Sequence, residues 1–345
     1  MKVLSLPDGS MNSNKHPTIY DVAELAGVSI STISRVMNAP NKVNKETRTK
    51  VIEAIDKLGF VPKAEARARA LQQSGRIGVL TPFFTAPSFV QRLRGVAAEL
   101  SKSNYDLVIY TVDSNDQLQA YISSIPLTGN LDGLIIMSLP IRDKDAQNIS
   151  RHGLETVLIE YPHPKFNSIE INDVQGGRLA AEYLIRKGHE RIAFLGDTEQ
   201  REEYAIHPAS KRLLGFQKAL QNAGIPLPKQ YISHAPNTQE QTLKAARHLL
   251  ELAEPPTAIF AAADVQALTV LKVARGLGMS IPSQLAVIGF DDIDFAEYLD
   301  LTTIRQQLDE SGKMAVKILL TRISDSSLKL QHEQLHLSLI ERLTA

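Results

Sequence analysis

Residues 27–38 read GVSISTISRVMN, and this stretch decides how the N-terminal region is interpreted. Gly27 offers the backbone freedom that a tight turn needs, and Ser29 is a residue type that caps helix N-termini. In the helix that follows, apolar residues recur at the i, i+3, i+4 spacing of a buried face. These residues are Ile33, Val36 and Met37. The opposite face consists of Ile30, Ser31, Ser34, Arg35 and Asn38.

Two further helices are predicted around this one. The first runs from about Ile19 to Ala26 and ends at the glycine turn, and the third begins after an Asn44 cap and stops at Gly59. A helix, a glycine turn and a second helix with a polar outer face form the helix-turn-helix arrangement. Small side chains let such a helix lie deep in a DNA major groove, where Arg35 can reach guanine O6 and N7.

The residues around that face suit contacts with the DNA backbone. Ser34, Asn38, Tyr20 and Thr47 can donate to phosphate groups, which fixes register rather than reading sequence. A solvated helix face in a small packing domain is the alternative for the polar face alone. The turn glycine, the serine cap and the apolar spacing together favour DNA binding.

Composition describes an ordinary globular protein with room for two or three domains. The chain has 345 residues, 43% hydrophobic and 22% charged, and it contains no cysteine, which excludes disulfides, thiolate metal sites and cysteine nucleophiles. No apolar run approaches the roughly 20 residues that span a bilayer. The first residues, MKVLSLPDGSMNSNKHP, lack the apolar segment of a secretion signal. We therefore expect a cytoplasmic protein with no membrane partner.

The distribution of charge points to a polyanionic partner. The net charge is zero, yet residues 17–76 hold ten Lys/Arg against six Asp/Glu, and residues 77–345 hold 26 against 31. A basic module on an acidic body is typical of a protein that binds nucleic acid.

From Arg76 onward the pattern predicts an α/β fold with parallel, doubly wound sheets. Continuous apolar runs such as RIGVLTP, LDGLIIMSLP, RIAFLGD and LAVIGFDD alternate with amphipathic helices. Ligands of such sheets bind beyond the carboxyl ends of strands. The residues at those ends are Phe83 to Thr85, Ser138, Glu160, Asp197, Asp264 and Asp291. Each of them could also be ordinary loop punctuation.

One motif suggests a metalloenzyme. Residues 332–336 spell HEQLH, which matches the zinc-protease pattern HExxH. That pattern requires a helix, whereas Leu335, Leu337 and Leu339 alternate with polar residues as in a strand, which would separate the histidines by roughly 13 Å. We therefore predict no metal site and no cofactor. An enzyme would also need a catalytic constellation at the strand ends, and none with recognisable spacing occurs.

The sequence closely resembles the LacI/GalR family of transcriptional regulators. The resemblance rests on TIYDVAELAGVSISTISRVMN and TRTKVIEAIDKLGFVP, and it continues through GHERIAFLG, TAIFAAAD, LAVIGFDD and LTTIRQ, so that it covers about residues 17–345. It implies that Ile30, Ser31 and Arg35 contact bases. The implied DNA-backbone contacts are Thr18, Tyr20, Ser34, Asn38 and Thr47.

The resemblance implies a two-lobed core like that of periplasmic sugar-binding proteins. We expect a disordered tail at 1–16, a helix-turn-helix domain at 17–61, a hinge at 62–75 and a core at 76–345. Within the core, lobe 1 is expected at about 76–171 and 304–328, and lobe 2 at about 172–303 and 329–345. The hinge departs from the family pattern. Lys63 replaces the usual Asn, and Arg69 replaces the Leu that wedges into the minor groove, so both are expected to contact DNA without an apolar wedge. Leu71 is the alternative wedge if the hinge helix shifts.

The family motifs also indicate an effector site. Arg212 in SKRLLGF and Asp291 in GFDD fall on effector-binding positions, Phe89 where an aromatic ring often stacks on the ligand, and Glu160 on another cleft position. Ser138 lies at a strand end, and Phe84 is a second candidate for stacking. Asp264 matches a position closer to structure than to ligand. His207 fits the cleft and a surface loop equally well.

We therefore predict a DNA-binding transcriptional regulator, most simply a repressor, controlled allosterically by a small molecule. The expected effector is a sugar or sugar derivative, with a nucleoside or purine as the alternative. The expected DNA partner is a palindromic double-stranded operator bound by a homodimer. A solute-binding protein, the rival of another class, would need a secretion signal and no helix-turn-helix.

Overall fold

The computed structural model describes residues 17–38, 43–60, 74–197, 204–235 and 238–345. It divides into two compact units, Met1–Ser74 and Gly75–Ala345, called here the headpiece and the core. The predicted tail at 1–16 lies outside the described residues. Residues 61–73, which include nearly all of the predicted hinge, also lie outside them.

Three helices form the headpiece: α1 (Ile19–Ala26), α2 (Ile30–Asn38) and α3 (Lys45–Leu58). Gly27 and Gly59 adopt left-handed backbone angles, with φ of 65° and 60°, at the ends of α1 and α3. Glycine adopts this conformation without the steric cost that a side chain would bring. The predicted helices and both glycine stops are confirmed.

The headpiece helices share one small apolar core. Its buried members come from all three helices, and Ile33 and Val36 confirm the predicted inward face of α2. The buried residues are Val22, Ile33, Val36, Val51 and Ala54. Helices this short are marginal alone, so their stability depends on this shared packing.

The core contains two six-stranded sheets, one in each lobe. The first sheet consists of β1 (Arg76–Pro82), β2 (Asp106–Val112), β3 (Gly133–Met137), β4 (Glu155–Ile159), β5 (Asn167–Ile171) and β11 (His332–Leu335). The second consists of β6 (Ile192–Gly196), β7 (Ile232–His234), β8 (Ala258–Ala261), β9 (Ala286–Asp291), β10 (Thr302–Arg305) and β12 (Ser338–Ile340).

Both sheets are doubly wound, as predicted. Their strand orders are β11-β5-β4-β3-β1-β2 and β12-β10-β9-β8-β6-β7. Neighbouring strands run parallel except β10 and β12, which are antiparallel. The central strands are buried along their length, which explains their continuous apolar sequence.

Helices cover both faces of each sheet. One face of the first sheet is covered by α4 (Pro87–Leu100) and α12 (Leu308–Ser324). The other face is covered by α5 (Asn115–Thr128) and α6 (Asp143–Arg151). One face of the second sheet is covered by α7 (Asp173–Arg186) and α8 (Ala209–Asn222). The other face is covered by α9 (Gln239–Leu250) and α10 (Asp264–Gly276). A short helix, α11 (Asp294–Tyr298), follows β9. No helix within the described ranges is long and apolar enough to cross a membrane.

The chain passes between the lobes after β5, after β10 and after β11, which corrects the expected boundaries. β10 belongs to the second sheet up to Arg305, and β11 pairs with β5 of the first sheet, although 329–345 were expected in lobe 2. The alternating leucines do form strands, but alternation does not specify a partner strand. The chain changes sheets at His336, whose carbonyl accepts a hydrogen bond from Gln307 Nε2 at 2.8 Å.

Candidate DNA-binding and effector sites

Helix α2 presents a polar face that its own sequence orients. The Ser29 hydroxyl accepts a hydrogen bond from the Thr32 amide at 3.2 Å, which confirms the predicted cap. Because the apolar side of α2 is buried in the headpiece, the predicted base-contacting residues lie on the exposed side. These are Ile30, Ser31 and Arg35.

The predicted DNA-backbone residues take several positions. Tyr20 is 68% exposed. Thr18 caps α1: its amide donates to the Asp21 carboxylate at 2.6 Å, and its hydroxyl accepts from the Asp21 amide at 3.4 Å. Ser34 and Thr47 are half-buried, and the side chain of Asn44 accepts from the Thr47 amide at 2.8 Å. The side chain of Asn38, and Lys63 and Arg69, lie outside the described residues.

The exposed face of α2 has the chemistry for reading base edges. Arginine pairs with guanine through two hydrogen bonds, serine reaches several bases, and an aliphatic side chain packs against the thymine methyl group. The individual base and phosphate contacts remain predictions.

In the core, the ends of four strands share an unusual backbone conformation. Phe83 after β1, Ser138 after β3 and Glu160 after β4 have φ of 46°, 53° and 72°, and Asp291 at the end of β9 has φ of 120°. Such angles cost a residue with a side chain about 1–3 kcal/mol, and they cluster at binding and catalytic sites. All four residues line one cavity between the lobes.

This cavity has a volume of about 430 Å³. Ligand sites usually measure roughly 300–1,000 Å³, so a small molecule fits. The structure brings five of the six predicted effector residues to its wall: Phe89, Ser138, Glu160, Arg212 and Asp291.

Phe84, the sixth, is not among the lining residues, and Phe83 takes its place. The left-handed turn at Phe83 directs that ring to the cavity, 6.0 Å edge-on from the ring of Phe89, while Phe84 is 41% exposed. Sequence alone placed a phenylalanine pair at the strand end but did not show which ring turns inward.

Arg92 is a site residue that the sequence analysis missed. It projects from α4, is 3% exposed, and its Nη2 donates to Glu160 Oε1 at 2.5 Å, while Ser138 donates to the other oxygen of Glu160. Its Nε donates to Ser311 Oγ at 3.0 Å. The available signal was an arginine next to the apolar stripe of α4, three residues after Phe89.

Arg212 has the corresponding position in the second lobe. It projects from α8, is 4% exposed, and its Nε donates to Asp173 Oδ1 at 2.8 Å and its Nη1 to the Ala262 carbonyl at 2.6 Å. Its guanidinium carbon lies 3.5 Å from the centre of the Phe290 ring, and its Nη1 lies 3.8 Å from Asp291 Oδ1. These contacts hold a buried cation in one orientation.

Gln306 lies between β10 and α12 and connects the polar residues of lobe 1 with those of lobe 2. Its Nε2 donates to Asp291 Oδ1 at 2.5 Å, and its Oε1 accepts from Arg92 Nη2 at 3.3 Å. Hydrogen bonds therefore connect Glu160 in lobe 1 to Asp291 in lobe 2 across the floor of the cavity.

Burial and neighbouring charges shift the carboxyl groups in opposite directions. Burial raises the pKa of Asp291 to about 6, against the attraction of Arg212. Burial by itself would raise the pKa of Glu160, but Arg92 and the hydroxyl of Ser138 hold that pKa below its usual value. Burial and then the charge of Asp291 raise the pKa of Asp264, which does not line the cavity and instead accepts from Thr303 Oγ1 at 2.5 Å.

The remaining candidates complete the wall. His207 lines the cavity with its Nδ1 3.5 Å from Asp197 Oδ2, so the structure favours the cleft over a surface loop. Gln266 lines it as well. Its Nε2 donates to the Ala235 carbonyl at 2.8 Å, and its buried Oε1 has no hydrogen-bond partner among the described residues.

The HEQLH motif forms a strand, as predicted, because residues 332–335 are β11. Within the described part of the chain, no group of three or more His, Cys, Asp or Glu side chains is placed to hold a metal ion.

Comparison with known proteins agrees with both units. Residues 18–63 match the family of bacterial regulatory proteins of the lacI type, and residues 181–345 match the periplasmic binding protein-like domain. The ribose operon repressor of Escherichia coli strain K12 is 33% identical over 330 residues, which are 94% of this chain and 98% of that protein.

Two solved structures show the same architecture. The lac repressor dimer bound to operator and the anti-inducer ONPF has a TM-score of 0.78 and 28% identity, and the match covers 96% of this chain and 99% of that one. A LacI family transcriptional regulator from Enterococcus faecium with bound ribose has a TM-score of 0.70 and 27% identity, covering 78% and 98%.

Family models match both the headpiece and the core, and one relative is one-third identical over nearly the whole chain. The chain belongs to the LacI family of bacterial regulatory proteins, and it is a DNA-binding transcription regulator rather than an enzyme.

Proposed function

We propose that this regulator is a repressor that binds a palindromic operator as a homodimer in the cytoplasm and responds to a sugar or sugar derivative in the cavity of its core. The exposed face of α2 reads the operator through Ile30, Ser31 and Arg35. A dimer presents two such helices, which is what a palindrome requires.

The observation that supports the effector site most strongly is the cavity wall itself. Four non-glycine residues with strained backbones meet there, and hydrogen bonds through Gln306 connect the two lobes beneath it. A ligand in the cavity touches both lobes at once, so its affinity depends on how the lobes are closed. A ligand shifts a conformational equilibrium only through such a difference in affinity.

A polyhydroxylated ligand fits these groups. The carboxylate of Asp291 accepts hydroxyl protons, the guanidinium of Arg212 donates to hydroxyl oxygens, and the rings of Phe83 and Phe89 can cover the apolar face of a sugar. The related regulator from Enterococcus faecium was solved with bound ribose. The same two rings would also stack on a purine, so nucleosides belong in any ligand screen.

The DNA assignment is tested by selecting operator sequences from a random duplex library with the full chain, followed by Arg35→Ala and Arg35→Lys. We expect Arg35→Ala to lose about 1–3 kcal/mol of discrimination in each half-site, because one bidentate guanine contact disappears. Arg35→Lys keeps the charge but loses the planar fork, so it should retain salt-dependent binding and lose selectivity.

Unchanged selectivity in both variants would show that α2 does not read bases through Arg35. As a control, Lys57→Ala removes an exposed headpiece cation from α3 and should alter overall affinity without altering the selected sequence.

A further inference from the structure

The charged groups of the cavity wall are unequal in number. Among the described lining residues, the permanently cationic side chains are Arg92 and Arg212. Three carboxylates line the same wall, Glu160, Asp197 and Asp291, and the carboxylate of Asp173 lies against Arg212. Among the described residues, negative groups therefore exceed fixed positive groups around the space where a ligand would sit.

Both guanidinium groups already have a carboxylate partner. Arg92 donates to Glu160, Gln306 and Ser311 and forms an ion pair with Glu160 at 2.5 Å. Arg212 forms an ion pair with Asp173 at 2.8 Å. Both arginines are almost fully buried and paired, so an anion in the cavity would have to share their positive charge with Glu160 and Asp173. A buried anion without its own counter-charge is strongly disfavoured.

Other donors reach the cavity from the backbone. α4, α8 and α10 begin at its wall, and no described side chain caps the first amides of any of the three. Each helix N-terminus presents a partial positive charge of about 0.5 rather than a full counter-ion. Amides of this kind donate to hydroxyl oxygens. The carboxylates accept hydroxyl or amine protons, as does Gln266 Oε1, which has no hydrogen-bond partner in the described part of the chain.

We propose that the cavity selects an uncharged or basic polyhydroxylated effector and rejects the phosphorylated and carboxylated forms of the same sugar. The inference rests on the proposed function, because it assigns a charge class to the ligand of that cavity. Hydroxyl groups, which donate and accept at once, satisfy both the backbone donors and the carboxylate acceptors. A phosphate would satisfy only the donors and would face Glu160 and Asp291.

The first test compares matched ligands by thermal shift and titration calorimetry on the full chain. Ribose is paired with ribose 5-phosphate, and glucose with glucose 6-phosphate, glucuronate and glucosamine. For any sugar that binds, we expect the neutral or amine form to bind at least tenfold more tightly than the phosphate or acid. An anionic form that binds as tightly as its neutral parent would overturn the proposal.

A second test needs no knowledge of the sugar and uses inorganic phosphate at matched ionic strength. The wild type should show no more stabilisation by phosphate than Arg92→Met does. The double variant Glu160→Gln with Asp291→Asn leaves Arg92 and Arg212 less neutralised, so it should gain stabilisation that is lost when Arg92→Met is added. Stabilisation of the wild type by phosphate that disappears in Arg92→Met would refute the charge class.

The two proposals fail differently. If neutral sugars bind but Phe89→Ala and Arg212→Gln leave their affinity unchanged, the cavity is not the effector site and the proposed function is wrong there. If binding depends on these residues but the tightest ligand is anionic, the cavity is the effector site and the proposed charge class is wrong. If no sugar of either class binds, the phosphate experiment decides the charge class by itself.

Discussion

Asp291 holds a charge that its surroundings disfavour. It ends β9 with φ of 120°, is 7% exposed, and burial raises its pKa to about 6. The charged groups around it are Arg212, Arg92, Glu160 and the carboxyl of Asp264. A ligand hydroxyl that donates to Asp291 would stabilise the ionised form, so the proposed effector role would account for a carboxylate that costs stability.

Replacing Asp291 by Asn should therefore change how stability depends on pH. The folded-state pKa is raised, so the contribution of Asp291 to stability is fully present below about pH 3.8 and is lost as pH rises through about 6. Between pH 5 and pH 8 the wild type should lose on the order of 1–2 kcal/mol that Asp291→Asn does not lose. Melting temperatures at both pH values measure this difference.

The exposed Asp113→Asn removes one surface carboxylate and serves as the matched control for the change in charge. Asp291→Asn should also weaken effector binding at least tenfold. Identical pH dependence in Asp291→Asn and the wild type would contradict the assigned cost of the buried carboxylate.

Glycines set the distance between helices α7 and α8, which carry Asp173 and Arg212. A Cβ on Gly177 in α7 would lie 1.8 Å from the Arg212 carbonyl in α8, and one on Gly215 in α8 would lie 1.8 Å from the Val174 carbonyl in α7. In the first lobe, a Cβ on Gly312 in α12 would lie 2.1 Å from the carbonyl of Arg92. Both buried cleft arginines thus depend on close helix packing.

Gly177→Ala should push α7 and α8 apart. Overpacking costs about 1–3 kcal/mol and more where backbone must move, and the displaced Arg212 should weaken effector binding. Gly276→Ala near the end of α10 is the control, because a Cβ there meets no atom of the described residues within 4 Å. The control should be neutral or slightly stabilising. Equal melting temperatures and effector affinities for the two variants would contradict the packing argument.

A second contact between elements joins the lobes outside the cavity. Arg94 in α4 donates to both oxygens of Asp294 at 2.5 and 3.1 Å in α11 of lobe 2, and to Asp309 at 2.7 Å in lobe 1. The Asp294 amide also donates to Gln91 Oε1 at 3.1 Å. This fork can form only when the lobes have this arrangement.

Asp294→Ala should therefore shift lobe closure with little effect on folding. The side chains are half-exposed, so the pair is worth at most about 1 kcal/mol, which corresponds to a change in effector affinity of up to about fivefold. Calorimetry measures the affinity, and Glu240→Ala, which removes an exposed ion pair in α9, is the control. An affinity unchanged by Asp294→Ala would exclude the fork as a closure contact.

Local patterns predicted the elements well and their long-range contacts less well. The apolar runs identified the buried strands, and the strand ends identified Ser138, Glu160 and Asp291, because parallel strands bring their carboxyl ends together. Arg92 was missed because helical periodicity does not reveal which polar residue on a buried stripe has a partner. Gly176 and Gly177 lack the spacing of a nucleotide-binding motif, and only the tertiary structure shows that Gly177 allows α7 and α8 to approach.

In the proposed function, a DNA-binding headpiece is coupled to a core that binds the effector. Coupling between two binding sites is reciprocal: the factor by which effector changes operator affinity must equal the factor by which operator changes effector affinity. Typical coupling energies of 1–3 kcal/mol correspond to factors of about 5 to 150.

The most direct test measures operator affinity of the full chain with and without the sugar that binds most tightly, in the wild type and in Arg212→Gln. The operator is the duplex selected by the wild type, and salt is held constant because it controls nonspecific affinity. We predict that the sugar changes wild-type operator affinity at least fivefold, while Arg212→Gln binds the operator normally without sugar and no longer responds to it. An equal response in both proteins, or loss of sugar-free operator binding in Arg212→Gln, would contradict the account.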